Sequence, residues 1–275
     1  IQGSRLFFNG SAPAPLAATP TTEVTAKVTG ALHNFGIPGA KSFHLVAPGY
    51  GNPAGVPLGL ANPYFARMST SANATVLGDA MAQAPTFFTL SEVGGNDVLG
   101  YALSGGSGVN QTGNLNPATY GSSDITDPNV FASVFSNMVT TLTSGGAKGV
   151  VATVPYITNL AHFTTVPHNP VPLDAGTAAA VNGAYAPYNA GIQQAFGALV
   201  QLGLMPQAVA AAEIAKRTIS FSAGAGNAVV IVDEDLTDLG AINPAFAALP
   251  QYRQATAADL LVLPSSTFIG TTVGG

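Results

Sequence analysis

Asn96 and Asp97 stand where a polar side chain can act on a ligand. They follow Thr86 to Val93, a run of β-formers that predicts a buried strand, and the turn Gly94-Gly95. In a parallel α/β sheet, ligands sit beyond the carboxyl ends of strands. The glycines permit a sharp turn, and the Asn96 amide can donate into a cleft. Asp97 reads as a structural residue whose carboxylate holds the Gly94–Asp97 turn through backbone N–H groups. A second glycine turn lies upstream in Asn34-Phe-Gly-Ile-Pro-Gly-Ala-Lys-Ser42, followed by Phe43-His-Leu-Val46. At Gly39 a backbone N–H could approach a substrate oxygen with no Cβ in the way. A plain turn before a helix would carry the same glycines.

Ester hydrolysis by a serine enzyme needs a nucleophile, a base and donors to a tetrahedral oxyanion. By residue type alone the Asn96 amide and the Gly39 N–H can donate to an oxygen, with Gly94, Gly95 and Asp97 shaping the turn. A nucleophile and a base are harder to find. Gly3-Ser4 and Gly10-Ser11 lack a preceding β-run. None of His33, His44, His162 or His168 follows an Asp by three residues, and no Gly-x-Ser-x-Gly elbow occurs.

The elements that must position these residues follow a βαβ rhythm. The Thr86–Val93 strand leads into a helix that begins near Val98. Asp127-Pro128 is a helix start, with Asp127 as N-cap and Pro128 in the first position. Phe131, Val134, Phe135, Met138, Val139 and Leu142 fall on one face of that helix. Gly145-Gly146 ends it, and Ala147 to Val154 predicts a second buried strand. Shorter helices are expected over Thr22–Leu32, Tyr64–Met68 and Leu77–Gln83. Further on, Asp174 caps a long helix reaching about Leu202, with a kink at Pro187. A helix over Gln207–Lys216 comes next. Two short strands, Arg217–Phe221 and Ala228–Val232, are expected to pair as a hairpin, and Ala255 to Leu261 reads as helical. Long Gly/Pro/Asn-rich loops cover 47–75 and 104–127, and such loops shape pockets.

Gly94-Gly95-Asn96-Asp97 resembles the Gly-x-Asn-Asp block of the SGNH (GDSL-type) hydrolases, and Asn34–Ser42 resembles their glycine block. Longer stretches, Asn34–Gly55, Thr86–Gly106 and Asp233–Pro264, look like large SGNH-type lipoproteins of the Bacteroidetes and neighbouring phyla. The resemblance implies a three-layer α/β/α domain over 1–275 with a mainly parallel, flavodoxin-like sheet. It implies a serine esterase, lipase or acyl hydrolase acting on an ester or acetyl group without a cofactor. Gly39 N–H and Asn96 would be oxyanion-hole donors. It also implies a place at the cell envelope or outer surface, with a lipid anchor outside this chain and protein partners there. The family's Gly-Asp-Ser-like and Asp-x-x-His blocks are not present. Their absence sets up the expectation that both ends were cut from something longer and that the nucleophile and base lie beyond them. The rival expectation is an inactive surface-binding or scaffold subunit. Ser91-Glu92-Val93 departs from the Trp-bearing strand of the lipoprotein group. Glu92 would either disfavour negative charge in the pocket or point to solvent.

Composition limits the alternatives. Of the 275 residues 47% are hydrophobic and only 8% are charged, about a third of the usual charged share. Such a chain buries a sizeable core and leaves a surface of Ser, Thr, Asn, Gln and Gly. With 8 Lys+Arg, a net charge of -5 and no basic cluster, it is not a nucleic-acid binder. Cysteine is absent, so thiolate metal sites are too. His162 and His168 have no carboxylate at metal-ligand spacing. Asp233-Glu234-Asp235 with Asp238 could meet a hard cation, but the spacing and glycine of a calcium loop are missing. No apolar run reaches the roughly 18 residues of a spanning helix. Asn9-Gly-Ser, Asn73-Ala-Thr and Asn110-Gln-Thr are glycosylation sequons by pattern.

Overall fold

The computed structural model describes residues 6–11, 13–17 and 26–270, which form two compact units, 1–157 and 158–275. The Ser4 candidate and the start of the expected Thr22–Leu32 helix lie outside the described residues.

In the first unit, strands β1 (Leu6–Phe8) and β2 (Pro13–Pro15) form a small antiparallel ladder. Residues 26–32 form no helix, because Val28 N–H donates to Arg67 O at 2.8 Å instead of to its own segment. Two 3-10 turns, Ser42–Leu45 and Pro53–Leu58, lead to α1 (Pro63–Met68) and α2 (Val76–Met81). Asn62 and Thr75 cap these helices through their side-chain oxygens. Strand β3 (Phe87–Leu90) feeds α3 (Gly95–Leu103). Helix α4 (Pro128–Thr143) then precedes β4 (Lys148–Val151), which pairs with β3 in parallel. The Asp127 carboxylate accepts N–H bonds from Asn129 and Val130 at 2.7 and 3.1 Å, and Pro128 occupies the first turn, where no donor is needed. Ile37, Phe65 and Val76 form one core cluster of this unit.

The second unit holds α5 (Ala161–Thr164), β5 (Val171–Leu173), α6 (Ala175–Gln201) and α7 (Gln207–Arg217). Strands β6 (Gly224–Asn227) and β7 (Val230–Val232), helix α8 (Leu239–Ile242) and strand β8 (Tyr252–Gln254) complete it. Asp174 caps α6 on Thr177 N–H at 2.7 Å, and the helix runs through Pro187 without a change of element. Ile192, Ala195, Phe196 and Leu199 of α6 pack with Ala210 and Leu239 as its core.

The fold is α/β in the broad sense, with helices and strands mixed along the chain. A mainly parallel sheet is not what the strands build. Among the described residues there are four two-stranded ladders, and only β3–β4 is parallel. Two further expectations are corrected in the second unit. Arg217–Phe221 and Ala228–Val232 do not pair with each other. Arg217 ends α7, β6 pairs with β5, and β7 pairs with β8. Residues 255–261 form no helix, because the Asp259 carboxylate takes the Thr256 N–H and the Arg253 guanidinium.

Candidate active site

Beyond β3 the backbone turns under two constraints. Glu92 takes φ 62, a left-handed conformation that costs a side-chain-bearing residue roughly 1–2 kcal/mol. Gly94 takes φ 103, and a Cβ there would sit 2.7 Å from Val154 and 2.8 Å from Phe131. Only glycine meets both demands at position 94. Gly94 caps α3, so Gly95, Asn96 and Asp97 form its first turn.

That turn is tied to the Gly39–Ser42 segment twice. Asn96 Nδ2 donates to Ala40 O at 2.9 Å. Asp97, 4% exposed, accepts from Ser42 N–H at 2.9 Å and from Ser42 Oγ at 2.8 Å. Asp97 is thus structural, but the N–H it holds belongs to the 42–45 turn rather than to its own Gly94–Asp97 turn. Gly39 has φ 77 with open space where a Cβ would point. Its N–H has no hydrogen-bond partner among the described residues. The second N–H of the Asn96 amide is likewise uncommitted. Both residues line one cleft of about 980 Å³, together with His33, Ser91 and Glu92. Glu92 is exposed and also lines the cleft.

A group of residues that sequence reasoning passed over fixes the glycine turn. Lys41, 5% exposed, sends Nζ to Asp124 O at 2.7 Å and Gly121 O at 3.2 Å. Burial lowers its pKa, opposed by the Asp97 and Asp124 carboxylates. Lys41 N–H donates to His44 Nδ1 at 3.1 Å, and the His44 ring stacks on Tyr50 at 4.4 Å and 7°. Burial, then the Lys41 charge, pushes the His44 pKa down to about 4, with Asp97 opposing. His44 is therefore neutral at pH 7 with Nδ1 already used as an acceptor, and it is spent on holding the turn. Asn62 Nδ2 adds bonds to Pro38 O at 2.9 Å and Tyr50 Oη at 3.1 Å. The available signal was Lys41-Ser42-Phe43-His44 itself, a tight polar run directly after the glycines.

The other candidates take no part in this site. Ser11 is exposed, and its N–H is bonded to Asn9. His162 and His168 belong to the second unit, where His162 packs on Phe163 and His168 O accepts the Val229 N–H. Asp233 pairs with Arg253 and Asp238 caps α8 on Ala241 N–H at 3.2 Å, so neither is free for a cation. Among the described residues no three of His, Cys, Asp and Glu gather as metal ligands. No family model, curated protein or solved structure matches this chain.

Proposed function

We propose that the chain is the core of a serine ester hydrolase of SGNH type, acting on an ester or acetyl group. One observation carries the reading. Gly39 and Asn96 lie 57 positions apart in sequence, yet the Asn96–Ala40 bond brings them together at one cleft, each with an uncommitted N–H. Two converging neutral donors suit an oxygen that becomes negative during acyl transfer. In this reading a serine hydroxyl adds to the substrate carbonyl and a base takes its proton. The carbonyl oxygen, now negative, accepts from Gly39 N–H, Asn96 Nδ2 and the serine's own N–H. The intermediate then collapses with loss of the alcohol, and water releases the acyl group. The serine and its Asp/His pair come from outside the 275 residues. The setting in this reading is an envelope surface reached through a lipid anchor.

The test uses the natural full-length protein. A fluorophosphonate probe should label one serine, located by peptide mapping. Asn96→Ala should lower ester hydrolysis by about 10²–10³-fold, the usual cost of one oxyanion donor. Labelling without any effect of Asn96→Ala removes Asn96 from the mechanism. A second reading, an inactive scaffold or surface-binding subunit with the same fold, is favoured by one fact. Among the described residues no serine hydroxyl is hydrogen-bonded to a histidine ring: Ser42 Oγ donates to Asp97, and His44 Nδ1 accepts the Lys41 N–H. Complete absence of labelling on folded protein would decide for it.

A further inference from the structure

Two asparagines of the chain are followed by glycine, in Asn9-Gly10 and Asn182-Gly183. The chemistry open to such a pair is attack of the glycine nitrogen on the asparagine side-chain carbonyl, since no Cβ shields that nitrogen. The surroundings of the two pairs differ. Asn182 lies inside α6 and is fixed twice: its Nδ2 donates to Phe221 O at 2.8 Å, and its Oδ1 accepts the Phe221 N–H at 2.8 Å. A helix side chain also leans back towards the N-terminus, away from the nitrogen that follows it. The Gly183 N–H belongs to the ladder of the helix.

Asn9 and Gly10 sit in the loop between β1 and β2, and Asn9, Gly10 and Ser11 are all exposed. Ser11 N–H donates to Asn9 Oδ1 at 2.9 Å. The ring closed by this bond runs from Asn9 Cγ along the backbone and contains the Gly10 nitrogen, so the bond holds the side chain close to the attacking atom. It also polarises the carbonyl and favours negative charge on its oxygen. Gly10 takes φ 98, has open space where a Cβ would point, and its N–H has no partner among the described residues.

We propose that Asn9 is a site of spontaneous deamidation and that Asn182, in the same dipeptide, is not. Solvent base removes the Gly10 N–H proton, and the nitrogen adds to Asn9 Cγ. The Cγ–Nδ2 bond then breaks, and ammonia leaves with a proton taken from water, closing a five-membered succinimide. Water opens that ring at either carbonyl. One product is Asp. The other is isoaspartate, in which the main chain runs through Cγ and is one carbon longer. Each product adds a negative charge to residues 6–15, which otherwise carry none. The isoaspartyl form also lengthens the connection that sets Phe8 opposite Pro13. The change is one-way, so it accumulates in copies as they age. The inference is independent of the esterase reading, since it concerns the β1–β2 loop and not the oxyanion donors.

The test holds the purified full chain at pH 6, 7 and 8 and follows both peptides by mass mapping, with an isoaspartyl methyltransferase to count isoaspartate. The Asn9 peptide should exchange –NH2 for –OH at least about 10-fold faster than the Asn182 peptide, whose two bonds to Phe221 must open first. Its rate should rise with pH, because the attacking nitrogen must lose a proton, and isoaspartate should appear beside Asp. In urea, where both pairs lose their surroundings, the two rates should converge. Gly10→Ala should slow the reaction, since a Cβ crowds the nitrogen and disfavours φ 98. Four results would each overturn the proposal: Asn9 unchanged in the folded protein, equal rates at the two asparagines without urea, Asp formed with no isoaspartate, or a glycan already on Asn9 of the natural protein.

Discussion

His44 ties the candidate site to a measurable pH dependence. Its Nδ1 accepts the Lys41 N–H at 3.1 Å, and its ring lies flat on Tyr50. Protonation would replace an acceptor with a donor aimed at another donor, beside the Lys41 ammonium. The folded pKa of about 4 stands against an ordinary value of 6.5. The sign follows directly. Between those two values the unfolded chain binds a proton at residue 44 that the folded chain refuses, so stability rises with pH across the window. The full stability is present above pH 6.5 and is lost as pH falls towards 4. At about 1.4 kcal/mol per unit, the loss attributable to His44 is roughly 3 kcal/mol at the acid end. The assay is urea unfolding followed by tyrosine fluorescence at pH 7, 5.5 and 4, for wild type and His44→Phe. Phe keeps a flat ring against Tyr50 and loses the acceptor, a cost that does not vary with pH. The difference between the two proteins should therefore shrink as pH falls. A difference that is constant from pH 7 to 4, or a His44 resonance titrating near 6.5 by NMR, would refute the reasoning.

Two other substitutions test the supports of the fold. Asp97→Ala strips both acceptors from Ser42 in a buried setting, and should cost about 2–4 kcal/mol in thermal or urea unfolding. Ser42→Ala should cost much less, because Ser42 N–H keeps its bond. In the second unit, Arg217 is fully buried, stacks over Phe196 at 5.3 Å, and reaches Glu213 and Thr237 O. Arg217→Met leaves the Glu213 carboxylate, 8% exposed, with the surface Lys216 and the Thr237 N–H as partners, both at 3.4 Å. The expected loss is about 3–5 kcal/mol, partly restored by adding Glu213→Gln. If the single and the double variant are equally unstable, the pair is not coupled.

The parts of the fold that were legible in the sequence are those whose signals are local. Asp127-Pro128 and Asp174 start helices because one side-chain oxygen meets N–H groups two or three residues on. Strands within Thr86–Val93 and Ala147–Val154 were readable from β-formers bounded by glycine, and their parallel pairing from the helix between them, but the expected burial was wrong: β4 is exposed along its length and β3 is exposed at alternate residues. What failed depends on distant partners. β7 could not reveal that its neighbour is residues 252–254, twenty positions away and beyond a helix. Residues 222–227 are organised by a buried side chain: Asn227 Nδ2 donates to Val171 O, Ser222 O and Gly224 O. At 255–261 the helical pattern was outweighed by the two bonds from Arg253 to Asp259, both 2.7 Å. Propensity carries no trace of such contacts.

The candidate site divides along the same line. Glycine positions announce themselves, because a left-handed backbone or a close approach admits little else. Gly39 and Gly94 could therefore be placed at turns from sequence alone. The roles of the polar residues could not. Asp97 reads as structural from the sequence, but its partner, Ser42 rather than its own turn, was not legible, and His44, a base candidate by type, is bonded to Lys41 N–H instead. Lys41, Ser42, His44, Asp97 and Asp124 together hold two loops that arrive from residues 39–45 and 94–97. That much buried polar bonding is costly to assemble and favours one geometry, since a partly satisfied network is worse than none. Its effect is to keep the Gly39 N–H and the Asn96 amide at one cleft with fixed aim. Donors fixed before a ligand arrives need little reorganisation when charge develops on it. Lys41, His44, Asp97 and Asp124 are thus committed to holding the two loops, and a proton-transfer role for any of them would require breaking those bonds.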